Sequence, residues 1–389
     1  MRIFFVLVPA FNPNDGGVQR TTYKLGKHFT QSGLDVHYYS LKKKGHSAVE
    51  YGSLHHAMEG GMGDNTANIL LLKKIIAEVQ PDIVINQMPY EVPLRNALFE
   101  SKGEVGFALL GCLRNSLFSV KDNLEDTVSR MLPNGISNIF NNPLGHSLAL
   151  YTHKYKHKKQ LKSIIDQHDL FILLTPPNRE ELHYFIGDYK REKIIAIPNS
   201  IPFVEPQTLP KEKIILHVGR LNIPQKRSDL LLPFWKQAHQ SLPDWEFWIV
   251  GDGPEKSNIE AQIMAESIPR VKLLGYQKPE PYYKKASIFM MPSAYEGFPN
   301  TVLEAQSYGC PVLAFNSYVA LSWIVNSHKD AILIESYNTT DMAAASIEIA
   351  KKQSLLHIMS ENAKTNANRF TIDKVGAIWL ELFQKLIKK

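Results

Sequence analysis

Two carboxylates with seven residues between them, Glu296 and Glu304, stand in the stretch Ser-Ala-Tyr-Glu-Gly-Phe-Pro-Asn-Thr-Val-Leu-Glu-Ala at 293–305. An apolar run at 288–291 ends at Pro292, which predicts a buried strand reaching its carboxyl end. Glu296, Gly297 and Phe298 then lie on a loop, and a helix opens with Pro299 in its first turn, where a missing amide donor costs little. That helix carries Glu304 and stops at Gly309, a natural C-terminal cap. Its first turn presents unpaired amides and a positive dipole end suited to a phosphate. An acid on either side of such a site suits a ligand that bears hydroxyls as well as an anion, because carboxylates accept from O–H groups. The plainer alternative is two exposed acids beside a helix terminus.

Cations occur at matching places. His217-Val218-Gly219-Arg220-Leu221 puts Gly219 and Arg220 at the end of an apolar run, and Lys226 follows six residues after Arg220. Arginine offers a planar fork for phosphate oxygens and lysine a compact point charge. Val250-Gly251-Asp252-Gly253-Pro254-Glu255 reads as a strand-to-helix turn in which glycine permits close approach. Gly16-Gly17-Val18 opens a helix after the first apolar run, where backbone amides can meet a ligand. No Asp-x-Asp pair occurs in the chain, which argues against a metal-bridged diphosphate.

These residues need a scaffold that brings strand ends together. Residues 3–8 form a near-continuous apolar run, as in a parallel strand covered on both faces. Strands are predicted at 34–39, 83–86, 105–110, 171–175 and 194–197, alternating with helices at 18–30, 65–79, 92–101 and 178–186. A proline-rich passage at 198–210 reads as a linker. The rhythm then restarts, with strands at 214–218, 245–250, 271–274, 288–291, 311–315 and 331–335, and helices at 228–239 and 255–265. The remainder is helical and ends in a helix at 372–387. Strand and helix alternating at this spacing imply doubly wound parallel sheets with ligands at the carboxyl ends of the strands.

The composition agrees. A chain of 389 residues exceeds one ordinary core, so two domains are expected. Its first apolar run is too short to span a bilayer, and the following Asn-Pro-Asn-Asp-Gly-Gly lacks a small-residue cleavage site, so a first strand is expected rather than a signal peptide. Two cysteines, Cys112 and Cys310, cannot build a disulfide framework, which points to a reducing cytoplasm. The net charge of +6 is unevenly spread, with lysines and histidines crowding residues 146–162. Such a segment can meet an anionic membrane surface or stand as a solvated basic helix, its lysines spreading around the helix. No aromatic-interleaved basic platform accompanies it, so no nucleic-acid partner is expected.

Glu296–Glu304 within E-G-F-P-N-T-V-L-E-A, together with Gly16-Gly17-Val18 and the Gly219-Arg220/Lys226 group, resembles the signature of the retaining glycosyltransferases of group 1 (family 4 type). The resemblance covers the whole chain and is most specific from 217 to 315. It implies an α/β, GT-B fold: two Rossmann-like domains facing each other across a cleft, the C-terminal helix crossing back to the first. The divisions expected are 1–205 for acceptor binding, 206–370 for the nucleotide sugar and 371–389 for the crossing helix. It further implies a UDP- or GDP-sugar donor, a glycan or lipid-linked acceptor, no cofactor and metal independence. Glu296 would hold donor-sugar hydroxyls, Glu304 the ribose hydroxyls, and amides around Phe298, Pro299, Asn300 and Thr301 the phosphates. Gly297, Gly219, Gly251 and Gly253 would line the donor pocket, and Tyr276 after Leu274-Gly275 would meet the base or be an ordinary surface tyrosine. Arg220 and Lys226 would stabilise the departing diphosphate, and the donor's own phosphate would help deprotonate the acceptor.

The chain departs from that pattern twice. Gly111-Cys112-Leu113-Arg114-Asn115 has Arg114 where relatives commonly carry a histidine near the reacting sugar. Arginine cannot act as a base at neutral pH, so Arg114 is expected to contact an anionic sugar or phosphate, or to be a surface residue. Trp323 stands where a glutamate is usual. Two other readings remain open from sequence: an epimerase or hydrolase on the same fold, and a non-catalytic nucleotide-sugar-binding subunit.

Overall fold

The computed structural model describes residues 1–389 except 8–10, 13–15, 42–48, 58–65, 122–123, 125–141, 206–209 and 389. Parts of the loop before Gly16 and of the proline-rich linker therefore lie outside the described residues. The chain forms two compact units: residues 1–117, 139–202 and 372–389, and residues 118–138 and 203–371.

The first unit contains β1 (Arg2–Val6), α1 (Gly17–Gln31), β2 (Asp35–Leu41), β3 (Ser53–Ala57), α2 (Thr66–Val79), β4 (Ile83–Asn86), α3 (Val92–Val105), β5 (Ala108–Cys112), α4 (Pro143–Gln167), β6 (Leu170–Leu173), α5 (Asn178–Ile186) and β7 (Ile194–Ala196). Its sheet runs β3-β2-β1-β4-β5-β6-β7, every pair parallel. Alternation along β1 explains the two-sided burial. Ile3 and Phe5 pack with Leu25 and Phe29 of α1, whereas Phe4 and Val6 pack with Leu72 and Ile76 of α2 and Leu94 and Leu98 of α3.

The second unit contains β8 (Ile214–Val218), α6 (Leu231–Ala238), β9 (Glu246–Val250), α7 (Lys256–Ala265), β10 (Val271–Leu273), α8 (Glu280–Lys285), β11 (Ile288–Met291), α9 (Asn300–Ser307), β12 (Val312–Phe315), α10 (Leu321–Ile324), β13 (Ala331–Ile334), α11 (Thr339–Lys351) and α12 (Gln353–Ala367). The sheet order is β10-β9-β8-β11-β12-β13, again all parallel. Ile215, Phe247, Ile249, Met290 and Leu313 pack against the apolar face of α6, centred on Phe234 and Trp235.

The last helix, α13 (Ile372–Ile387), belongs to the first unit although the chain enters it from the second. Val375, Trp379 and Phe383 bury against the α1 side of the first sheet, and the Phe383 ring meets Phe29 edge-on at 5.1 Å. β3 is absent from the predicted strands. It is an edge strand whose sequence, Ser-Leu-His-His-Ala, has no apolar run to announce it. A parallel ladder with β2, from His37 opposite Ser53 to Leu41 opposite Ala57, holds it, and the His37 and His55 imidazoles meet beside that ladder at 3.0 Å.

In both sheets the order reverses beside the first strand, between β1 and β4 and between β8 and β11. Connections leave such a pair of strands toward opposite sides, opening a crevice above their carboxyl ends where ligands of doubly wound sheets bind.

Candidate active site

At the switch point of the second sheet, the loop after β8 meets the loop after β11. The Ala294 amide donates to the Gln225 carbonyl at 2.8 Å, tying the two loops together. Across this tie Lys226 Nζ donates to Glu296 Oε1, and Gln225 Nε2 donates to Glu296 Oε2 at 3.3 Å. The lysine and glutamate side chains are 19% and 9% exposed, so this ion pair is largely out of water. Glu296 and Glu304 are both buried, which removes the reading of two exposed acids. The Arg220 side chain, in contrast, is exposed, and among the described residues its guanidinium has no hydrogen-bond or ion-pair partner.

Three polar side chains beside this pair carry no signal that the sequence analysis used. His217, fully buried, places Nδ1 at 3.1 Å from the Met290 carbonyl. That contact assigns the proton to Nδ1 and leaves Nε2 as a bare acceptor. Burial lowers the His217 pKa to about 4, the Met290 bond opposing and the Lys226 charge adding to the shift. Nε2 has no partner among the described residues and faces Gly219, where a Cβ would lie 3.2 Å away. The Tyr318 hydroxyl is buried without a partner among the described residues, and burial, then the Glu296 charge, raises its pKa well above normal. Gln225 completes the set. Position two before Gly219 on a strand could have marked His217; Tyr318 lies too far along the chain for any spacing rule to find it.

The glycines of the β9 turn serve the scaffold. A Cβ on Gly251 would sit 1.8 Å from the Gly219 carbonyl oxygen, and one on Gly253 2.3 Å from that of Leu221. Gly219 N donates to Val250 O at 3.1 Å, Leu221 N to Asp252 O at 2.9 Å and Gly251 N to Gly275 O at 2.8 Å. Close approach here is therefore between protein loops: the turns after β8, β9 and β10 are laced into one floor.

The helix expected after Glu296 begins one residue later than predicted. Pro299 is its cap, with ψ of 78°, not part of its first turn. The consequence is chemical. Asn300 N turns back to Phe298 O at 2.9 Å and Val302 N to Pro299 O at 3.0 Å, so these donors are already committed. Proline has no amide, and of residues 298–301 only the Phe298 and Thr301 amides remain for an anion. The Phe298 ring is a core group, meeting Phe370 edge-on at 6.1 Å; Phe370 also carries Trp323 at 5.5 Å, so Trp323 has a packing role. Glu304 on α9 accepts from the Tyr283 hydroxyl at 3.5 Å and keeps lone pairs for other donors. Tyr276 is 73% exposed beyond β10.

In the first unit, Gly16 caps α1 with φ of 60°, a conformation that favours glycine, and the first turn carries no acid. Val18 packs partly against the core. Arg114, after β5, reaches Gln87 at the end of β4 and Asn199 beyond β7. It is partly exposed rather than a free surface residue.

Helix α4 adds an exposed apolar stripe to the reading of residues 146–162. Leu144, Leu148, Tyr151 and Tyr155 are spaced by four, three and four residues and are all exposed, Leu144 to 84%. At 100° per residue they form one stripe, and Lys158, Lys159 and Lys162 continue the same face. His153 and His157 point the other way, onto Phe185. Among the described residues no helix is long and apolar enough to cross a membrane.

Residues 212–352 match the family described as glycosyl transferases group 1. Over those residues the chain is similar to the group 1 glycosyl transferases. The matched residues span β8 to α11 and hold every second-unit site residue named above. An uncharacterized glycosyltransferase of Haemophilus influenzae is 30% identical over 200 residues, 49% of this chain and 55% of that protein. The UDP-Gal:alpha-D-GlcNAc-diphosphoundecaprenol alpha-1,3-galactosyltransferase of Escherichia coli is 30% identical over 215 residues, 49% of this chain and 54% of that protein. The chain thus spans about half the length of these curated relatives. The sucrose-phosphate synthase of Thermosynechococcus elongatus superimposes with a TM-score of 0.78 over 100% of this chain and 99% of that chain, at 16% identity. That likeness shows the fold, which is GT-B.

The buried histidines make a prediction about pH. His217 in the second unit and His168 in the first both have pKa values lowered to about 4, burial being the main cause. Between pH 6.5 and 4 the unfolded chain therefore binds the extra protons. No penalty exists above pH 6.5, and stability falls as the pH drops toward 4. Urea denaturation at pH 7 and pH 5 is expected to differ by about 2 kcal/mol per histidine, and His168→Gln to remove one share of that difference.

Proposed function

We propose that the chain is a retaining glycosyltransferase that moves a sugar from a UDP-sugar, rather than a GDP-sugar, to a glycan or lipid-linked acceptor in envelope polysaccharide or lipopolysaccharide synthesis. The observation that supports this reading is the meeting of Lys226 and Glu296 at the sheet's switch point, with Arg220 on the same loop as Lys226 exposed and without a carboxylate partner among the described residues. The floor laced from the turns at Gly219, Gly251 and Gly275 fixes the loop that carries Arg220 and Lys226, and these two residues supply positive charge where the leaving group becomes more negative. These two cations take the part a metal would otherwise play. Glu296 accepts from sugar hydroxyls with the oxygen valence its lysine leaves free, and Glu304 from the ribose. Retention follows from the family likeness, with no side chain needed as a covalent nucleophile. UDP is favoured because the E. coli relative's name gives a UDP-sugar donor, and a lipid-linked acceptor because that name gives a diphosphoundecaprenol acceptor.

The exposed stripe of α4 supports work at the inner face of the cytoplasmic membrane. Apolar side chains can enter the headgroup region while Lys158, Lys159 and Lys162 face anionic lipid.

A thermal-shift panel of nucleotide sugars is expected to show one stabilising UDP-sugar. With that donor, Arg220→Ala and Lys226→Ala should each lower turnover by roughly 10²–10³-fold without loss of fold, and EDTA should leave the wild-type rate unchanged. Near-normal turnover in both variants would end the assignment.

In flotation assays the protein should rise with vesicles containing phosphatidylglycerol and stay behind with pure phosphatidylcholine. Leu148→Ser/Tyr151→Ser and Lys158→Gln/Lys162→Gln should each abolish flotation, and equal recovery of wild type with both lipids would refute the charge component.

A further inference from the structure

Arg114 is a guanidinium that the first unit holds without an anion. Nε donates to Gln87 Oε1 at 2.5 Å and Nη1 to Asn199 Oδ1 at 3.1 Å, both neutral acceptors. Nη2 is buried and has no hydrogen-bond partner among the described residues. Among the described residues no carboxylate pairs with it. The Cys112 thiol lies nearby, but burial pushes its pKa up, so it carries no charge to offset the cation. Removing a guanidinium from water is costly unless an anion and hydrogen bonds replace the water.

The neighbours deepen the imbalance. Gln87, 1% exposed, has turned its carbonyl to Arg114, so its Nε2 is left buried with no acceptor among the described residues. Ser200, next to Asn199 and as buried as Gln87, has a hydroxyl with no partner among the described residues. Gln87 follows β4 at the switch point, Arg114 follows β5, and Ser200 lies beyond β7, so all three stand past the carboxyl ends of parallel strands. Arg114 Nη2 and Gln87 Nε2 can only donate, and the serine can donate too. A neutral hydroxyl arriving here would satisfy one donor and leave the positive charge uncompensated. A carboxylate or phosphate would satisfy several at once, and its planar or tetrahedral oxygens fit the arginine fork.

We infer that Arg114, Gln87 and Ser200 select a substrate that carries an extra anionic group, distinct from the donor diphosphate. This rests on the transferase reading above and deepens it by naming the substrate class. The shared chemistry is an anionic oxygen cluster. Its source is either a carboxylate, as on a uronic acid, or a phosphate.

The two sources separate in one set of titrations on the full chain. UDP, UDP-glucose and UDP-glucuronate are titrated calorimetrically, followed by inorganic phosphate into the UDP-glucose-loaded protein. A uronate source is expected to make UDP-glucuronate bind about 10- to 100-fold tighter than UDP-glucose. A phosphate source is expected to leave the two donors equal and to give saturable phosphate binding. In either case Arg114→Met should erase the preference, and Arg114→Lys, which keeps charge but loses the fork, should retain part of it. Matching melting temperatures check that the variants fold. UDP binding without any anion preference in the wild type would overturn this inference alone. So would an equal loss of UDP, UDP-glucose and UDP-glucuronate in Arg114→Met, since that places Arg114 on the diphosphate. Failure of UDP itself to bind would overturn both readings.

Discussion

The ion pair between Lys226 and Glu296 is the constraint on which the second unit's site depends. Neither charge is left in water, so each requires the other and the geometry between them must be held. Two loops on neighbouring strands, β8 and β11, provide the partners. Their approach is fixed by the Ala294–Gln225 backbone bond and by the second carboxylate contact from Gln225. The floor below is fixed in turn by glycines that let the turns after β8 and β9 touch backbone to backbone. His217 completes the arrangement as a neutral imidazole; a charged one would repel Lys226 from directly beneath Gly219. A doubly wound sheet places all of this at the point where its strand order reverses.

The first unit repeats the topology with a different electrostatic outcome. Its switch point also joins two strand ends, at β1 and β4, and a cation again reaches across the neighbouring loops. Here the contacts are neutral amides. Arg114 is positioned by Gln87 and Asn199 but not neutralised, whereas Lys226 is both positioned and neutralised. The contrast separates a cation already shared with a carboxylate from one that has no carboxylate partner among the described residues.

Much of the fold was legible because parallel strands buried on both faces are continuous apolar runs. β4, β8 and β11 coincide with the runs at 83–86, 214–218 and 288–291. β3 was not legible, since an edge strand held by its ladder with β2 has no such run. The paired acids were legible through their spacing, but their burial was not, because it is created by Lys226, Gln225 and Tyr283 from other parts of the chain. The cap at Pro299 also escaped, and with it the loss of the Asn300 amide, because both turn on one backbone angle. In α4 the lysine count drew attention to charge, while the ordered signal lay in Leu144, Leu148, Tyr151 and Tyr155. Residues such as Tyr318 are brought in only by tertiary structure.

The central claim is that Glu296 and the donor diphosphate share Lys226. Isothermal titration of UDP, which lacks the sugar that Glu296 would hold, tests it directly in wild type and Glu296→Gln. The glutamine keeps the shape of the side chain and removes its charge, freeing the lysine for phosphate. The account predicts UDP binding tighter by a factor of about three or more in the variant, with the difference shrinking as salt rises. Unchanged or weaker UDP binding would contradict it.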